Sequence, residues 1–186
     1  MCAILYLIDE SEGRDGAMDA RDEALGLFAE GLGIGSQQLG CFEGRKTFQK
    51  AIYLLQEKPF SWDMGFRYNL YIRGPYSPQL ADAGYGLLDN KDEWDAVLES
   101  QQLVRAAQKH VQKLREEFTG EDGDLDGDLL ELAATYHFLR HRTFRYVDDP
   151  SKKHEKSEAW IAEHKTELMS NLSEAVETLK RLHMID

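Results

Sequence analysis

Residues 44–55, Gly-Arg-Lys-Thr-Phe-Gln-Lys-Ala-Ile-Tyr-Leu-Leu, and residues 73–80, Arg-Gly-Pro-Tyr-Ser-Pro-Gln-Leu, bound the stretch whose pattern decides the fold. Phe48, Ala51, Ile52 and Leu55 recur at i, i+3, i+4 and i+7, which predicts a helix with one apolar stripe. Arg45, Gln49, Tyr53 and Gln56 follow the same spacing and predict a polar stripe on another face. Pro59 ends this helix, because it lacks an N–H and disfavours helical geometry in the residue before it. Phe66, Tyr68, Leu70 and Ile72 then alternate with Arg67, Asn69, Tyr71 and Arg73, the period of a strand. Gly74-Pro75 breaks the run, and Ser77-Pro78 reads as an N-cap followed by proline at the first helical position.

Working outward, the N-terminal apolar run Ala3–Ile8 reads as a short strand or as the first turns of a helix, and Ser11–Gly16 as a loop. Asp19 is placed to cap a helix running to about Glu30, and Gly31, Gly33 and Gly35 follow as a turn. Gly-Leu-Gly-Ile-Gly does not have the spacing of a dinucleotide fingerprint. After the central stretch, a short helix over Leu80–Leu88 is interrupted by Gly84 and Gly86. One long helix is expected over Asp92–Phe118, with Val97, Val104, Val111 and Phe118 on a heptad seam. That seam serves packing within the chain or, in the alternative, a homodimer through residues 92–118.

Asp122, Asp124, Asp126 and Gly127 match the start of a calcium loop, but its twelfth position holds Ala133 in place of the bidentate glutamate. Asp128 with Glu131 reads instead as a capping box, opening a helix to about His141 that is apolar around most of its circumference. His137 and His141 stand at i and i+4, without the glutamate of an H-E-x-x-H site. Residues 147–157 read as a charged loop, 158–168 as a short helix, and Asn171 with Glu174 as a capping box for the last helix.

The central residues resemble a family of small bacterial and archaeal proteins. These carry G-R-x-x-x-Q-K-x-x-Y-x-L, an aromatic strand, and then G-P-Y-S-x-x-L. They are distantly similar to the phage-associated Panacea domains, whose members act as antitoxins. The matching residues are Gly44, Arg45, Gln49, Lys50, Tyr53, Leu55, Gly74, Pro75, Tyr76, Ser77 and Leu80. The resemblance implies a mainly α fold. It has a winged-helix-like N-terminal part over residues 1–90 with one short strand or hairpin, followed by a helical C-terminal subdomain over residues 91–186. It implies no catalysis.

The 186 residues suffice for a genuine core, and 42% hydrophobic with 30% charged residues suits a globular protein. The net charge of −12 argues against general affinity for nucleic acid. Residues 43–80 nevertheless hold six basic and three acidic side chains. Cys2 and Cys41, without a signal peptide, point to a reducing cytoplasm. The N-terminal apolar run falls far short of the ~20 residues a membrane helix needs.

There is no phosphate loop or nucleophile elbow, and no motif for a metal or a cofactor. The expected function is therefore a non-catalytic interaction or regulatory module of antitoxin type. It binds a protein partner, a toxin among the candidates, through Arg45, Gln49, Tyr53, Arg73, Tyr76 and Ser77. Buried hydrogen bonding of Gln49, Tyr53 and Tyr76 is the competing role for those side chains. The alternative function is a winged-helix DNA-binding regulator reading a groove with the helix after Pro78. That helix, Pro-Gln-Leu-Ala-Asp-Ala-Gly-Tyr-Gly-Leu-Leu, carries no Lys or Arg.

Overall fold

The computed structural model describes residues 18–186, so the expectations for the N-terminal apolar run, its loop and Cys2 lie outside the described residues. The described chain is mainly α-helical with one two-stranded antiparallel hairpin. Helix α1 (Ala20–Gly31) is capped by Asp19, whose carboxylate accepts from the Asp22 N–H at 2.9 Å. A short α2 (Ser36–Gly40) leads into α3 (Phe42–Gln56). Strands β1 (Asn69–Tyr71) and β2 (Gly74–Tyr76) pair in the register Asn69 with Tyr76, Leu70 with Pro75 and Tyr71 with Gly74. Helices α4 (Pro78–Asp89), α5 (Lys91–Ser100), α6 (Arg105–Phe118), α7 (Gly127–Phe138), α8 (Pro150–His164) and α9 (Leu172–Arg181) complete the order.

Helix α7 is the axis of the fold, with every residue from Leu129 to Phe138 buried. It packs on α3 on one side and α9 on the other, so the halves meeting near residue 90 share one hydrophobic core. The approach of α3 to α7 is close: a β-carbon at Gly127 would lie 2.8 Å from Thr47 Oγ1. Among the described residues no helix is long and apolar enough to cross a membrane.

Several expected elements are corrected. The helix expected over Asp92–Phe118 is two helices, α5 and α6, separated at residues 101–104. Trp94 and Val97 of α5, and Ala107, Val111, Leu114 and Phe118 of α6, are all buried within the chain. The chain leaves the helix between the two sets, around buried Leu103. No continuous seam remains for a coiled-coil homodimer through residues 92–118. Helix α4 runs unbroken through Gly84 and Gly86. Gly84 is buried, and a β-carbon there would meet the Phe48 ring at 3.5 Å.

The cap of α7 is Asp126, which accepts from the N–H groups of Asp128 and Leu129, so Asp128 and Glu131 form no capping box. The segment read as a charged loop is the start of α8, with Asp149 as N-cap and Pro150 in the first turn. Asn171 makes no side-chain cap, because a 3-10 turn over Thr166–Asn171 precedes α9.

The hairpin groove, a candidate functional site

The polar stripe expected to face outward from α3 is turned inward and seats the hairpin. The Gln49 amide donates from Nε2 to Ser77 O and accepts from Ser77 N–H, both at 3.0 Å. Two turns further on, Gln56 repeats the arrangement with the Phe66 carbonyl and N–H at 3.0 and 3.3 Å. Each amide thus presents one donor and one acceptor to a backbone residue, the pairing a neighbouring strand would offer. The clamps hold the chain just before β1 and just after β2. Between them the buried Lys50 ammonium donates to Pro75 O at 2.8 Å. Tyr53 is 1% exposed, and its hydroxyl shares a 2.8 Å hydrogen bond with His137 Nδ1 on α7. Burial, then the neighbouring His141 and arginines, hold the His137 imidazole well below its usual range, so it stays neutral.

Ser77 caps α4 by accepting from the Leu80 N–H at 3.3 Å. Gln49, Tyr53 and Ser77 therefore spend their polar atoms inside the chain, which corrects their expected place on an exposed surface. Gly44 is held by a different constraint: a β-carbon there would lie 2.0 Å from Gln38 O on the preceding helix.

A second set of contacts lies under the hairpin. Glu131 on α7 is 1% exposed and pairs through Oε1 with the Lys165 ammonium, whose side chain is 2% exposed. Lys165 also donates to Ile72 O at 2.8 Å and so holds the hairpin tip. Glu131 Oε2 faces Lys46 at 3.4 Å and Arg73 at 4.0 Å. Lys46 reaches Glu43 and Asp128 as well, at 2.7 and 3.1 Å. One buried carboxylate thus anchors lysines from α3 and from the end of α8, beneath an arginine at the hairpin tip. Nothing in the sequence pattern identifies Lys165 or Glu131 for this role, since each sits in an ordinary helical or charged context.

Arg45, Arg73 and Tyr76, the other expected partner-binding residues, come together around a groove of about 350 Å³ between α3, the hairpin and α4. Its floor is Leu39, Phe48, Leu80 and Gly84. Phe42, Tyr85, Tyr71 and Ile72 also line it. Ile72, expected within the alternating strand, lies at the hairpin tip after β1 and is 83% exposed. Tyr71 and Tyr76 meet edge to face at 5.2 Å between ring centroids. The Arg45 guanidinium lies over the Tyr85 ring at 5.3 Å and donates to Leu39 O at 2.9 Å. The Arg73 side chain is 56% exposed.

Among the described residues, Phe42, Tyr71, Ile72, Tyr85 and Tyr146 are the large apolar side chains left exposed, and the first four all line this groove. Every charged residue in the described lining is basic: Arg45, Lys46, Lys50 and Arg73.

A larger depression of about 580 Å³ lies beside the loop at Asp122–Asp128. Three of that loop's carboxylates are already engaged. Asp122 and Asp126 accept backbone N–H groups, and Asp128 pairs with Lys46. No group of three side chains able to hold a metal occurs among the described residues.

Comparison of the chain with family models, with curated proteins and with solved structures found no match. The resemblance stated for the central motifs rests on those residues alone.

Proposed function

We propose that the protein is a non-catalytic interaction module, and that the groove between α3, the hairpin and α4 docks an apolar segment of a protein partner. The observation that carries this is the gathering of Phe42, Tyr71, Ile72 and Tyr85 at one groove on an otherwise strongly acidic chain. Exposed apolar side chains scattered singly carry no meaning, but a contiguous patch rimmed by polar groups marks an interaction site. The mixture also suits an interface, since aromatic residues and arginine are the types that anchor partners. An antitoxin-type role, with a toxin segment in the groove, is the form of this reading that the motif resemblance implies. Duplex DNA fits the groove less well: α4 carries Asp82 and no Lys or Arg, and it forms a wall of the groove.

The test is selection of a phage-displayed random peptide library on the wild-type protein, with the Ile72→Asp/Tyr85→Ser variant as comparison. Both substituted side chains are exposed, so the variant melts close to wild type, within about 0.5 kcal/mol per site. Peptides enriched on the wild type are expected to bind the variant at least about tenfold more weakly, since two anchors at about 1 kcal/mol each exceed 1.4 kcal/mol. Absence of enrichment, or equal binding to the variant, overturns the proposal.

A further inference from the structure

We infer that the hairpin end of the groove is a carboxylate seat formed by Lys50 and Arg73, and that the docked segment is an acidic peptide with an Asp or Glu beside its apolar anchor. This rests on the docking role proposed for the groove and adds the chemistry of the occupant.

The geometry of the charges points this way. Four cations, Lys46, Lys50, Arg73 and Lys165, surround the single buried carboxylate of Glu131. Lys165 is matched by Glu131 directly, and Lys46 is matched by Glu43 and Asp128. That leaves Lys50 and Arg73. No carboxylate among the described residues lies within ion-pair distance of Lys50, and Arg73 reaches only Glu131, at 4.0 Å. Lys50 is 2% exposed, and its one hydrogen bond, to the neutral Pro75 carbonyl, uses one of three ammonium donors. A buried cation with no carboxylate in direct contact is costly, and a groove whose charged lining residues are all basic is complementary to an acid.

The electrostatics of Lys50 agree. Burial lowers its ammonium to about 7; Glu131 opposes this, while Lys165, Lys46 and Arg73 add to it. The groups facing Lys50 from α3, α7, the hairpin and the end of α8 are these four, together with the Pro75 carbonyl. A carboxylate arriving beside Lys50 restores the ammonium, so the peptide binds with uptake of a proton when the pH is above 7. The sign follows from linkage. The fraction of free protein with Lys50 charged is near one at pH 6 and falls about tenfold by pH 8, and affinity falls with it.

The experiment uses two displayed libraries of identical design, one allowing Asp and Glu and the other replacing them with Asn and Gln. Enrichment from the acidic library alone is expected. The best acidic peptide should lose roughly tenfold in affinity between pH 6 and pH 8. Lys50→Arg, which keeps the charge without titrating near neutrality, should flatten that dependence. Arg73→Gln, at an exposed position where folding is not in question, should weaken the acidic peptide and leave its amide counterpart unchanged. Equal enrichment from both libraries overturns the carboxylate seat and leaves the docking role standing. Enrichment from neither overturns both. Displacement of the peptide by mixed-sequence duplex DNA at low salt, lost in Arg73→Gln, overturns the peptide in favour of a phosphate backbone.

Discussion

Glu131→Ala is expected to destabilise the protein by about 3–5 kcal/mol, the cost of leaving a buried charge without its partner. Lys165 is 2% exposed at its side chain and has Glu131 as its one ion-pair partner among the described residues. Without the carboxylate, Lys165 and Lys46 face each other and Lys50 across the same buried space. At about 2–4 °C per kcal/mol for a chain of this size, the thermal midpoint falls by roughly 10 °C. The hairpin is expected to loosen as well, because Lys165, which donates to the Ile72 carbonyl, loses the carboxylate that fixes its ammonium. Removal of both charges separates this account from simple loss of packing. Glu131→Leu with Lys165→Met should be more stable than Glu131→Leu alone, since the uncompensated cation is gone. A loss under about 1 kcal/mol for Glu131→Ala in a denaturant titration would contradict the central place given to this carboxylate.

Gly74→Val should have a comparable effect for a different reason. Gly74 opens β2 with φ +83°, a conformation that β-branched residues strongly disfavour. Its missing β-carbon would lie 2.4 Å from Thr135 Oγ1, which is itself committed to Glu131 O. Backbone strain and overpacking each cost about 1–3 kcal/mol, so the combined loss is about 2–6 kcal/mol. The two parts are separable. Gly74→Ala in a Thr135→Ala background relieves the clash and retains the strain, and is therefore expected to cost less, relative to that background, than Gly74→Ala does in the wild type. Equal costs in the two backgrounds would mean that the close approach of the hairpin to α7 contributes nothing.

Much of the fold was legible where local chemistry and packing agree. The 3.6-residue period of Phe48, Ala51, Ile52 and Leu55 marked α3, and those four side chains are buried. Ser77-Pro78 marked the start of α4, and Asp19 that of α1. Other features failed for identifiable reasons. The heptad of Val97, Val104, Val111 and Phe118 suggested one helix, because nothing in Gln101-Gln102-Leu103 breaks a helix by propensity, and tertiary packing made the turn. The start of α8 carried a readable signal in Asp149-Pro150, masked by the polar run that follows it.

The candidate site was legible in location more than in role. The motif residues do converge, with Arg45, Arg73 and Tyr76 at a groove. Gln49 lines it too but spends its amide on Ser77, and Tyr53 and Ser77 are buried away from it, because a polar stripe with hairpin backbone to satisfy is buried as readily as an apolar one. Phe42, Ile72 and Tyr85 were not singled out, since an exposed apolar residue is recognisable only once its neighbours in space are known. Lys50 stood inside the quoted motif, yet only the count of charges around Glu131 sets it apart.

The account's central claim is that the motif residues build a scaffold whose outer face, the groove, does the binding. The most direct test follows backbone amide shifts of ¹⁵N-labelled wild-type protein during titration with a peptide enriched by the display selection. The largest shifts are predicted at Phe42, Arg45, Ile72, Arg73 and Tyr85, with α9 and the Asp122–Asp128 loop unmoved. Shifts concentrated on α9 or on that acidic loop, with the groove residues silent, would contradict it.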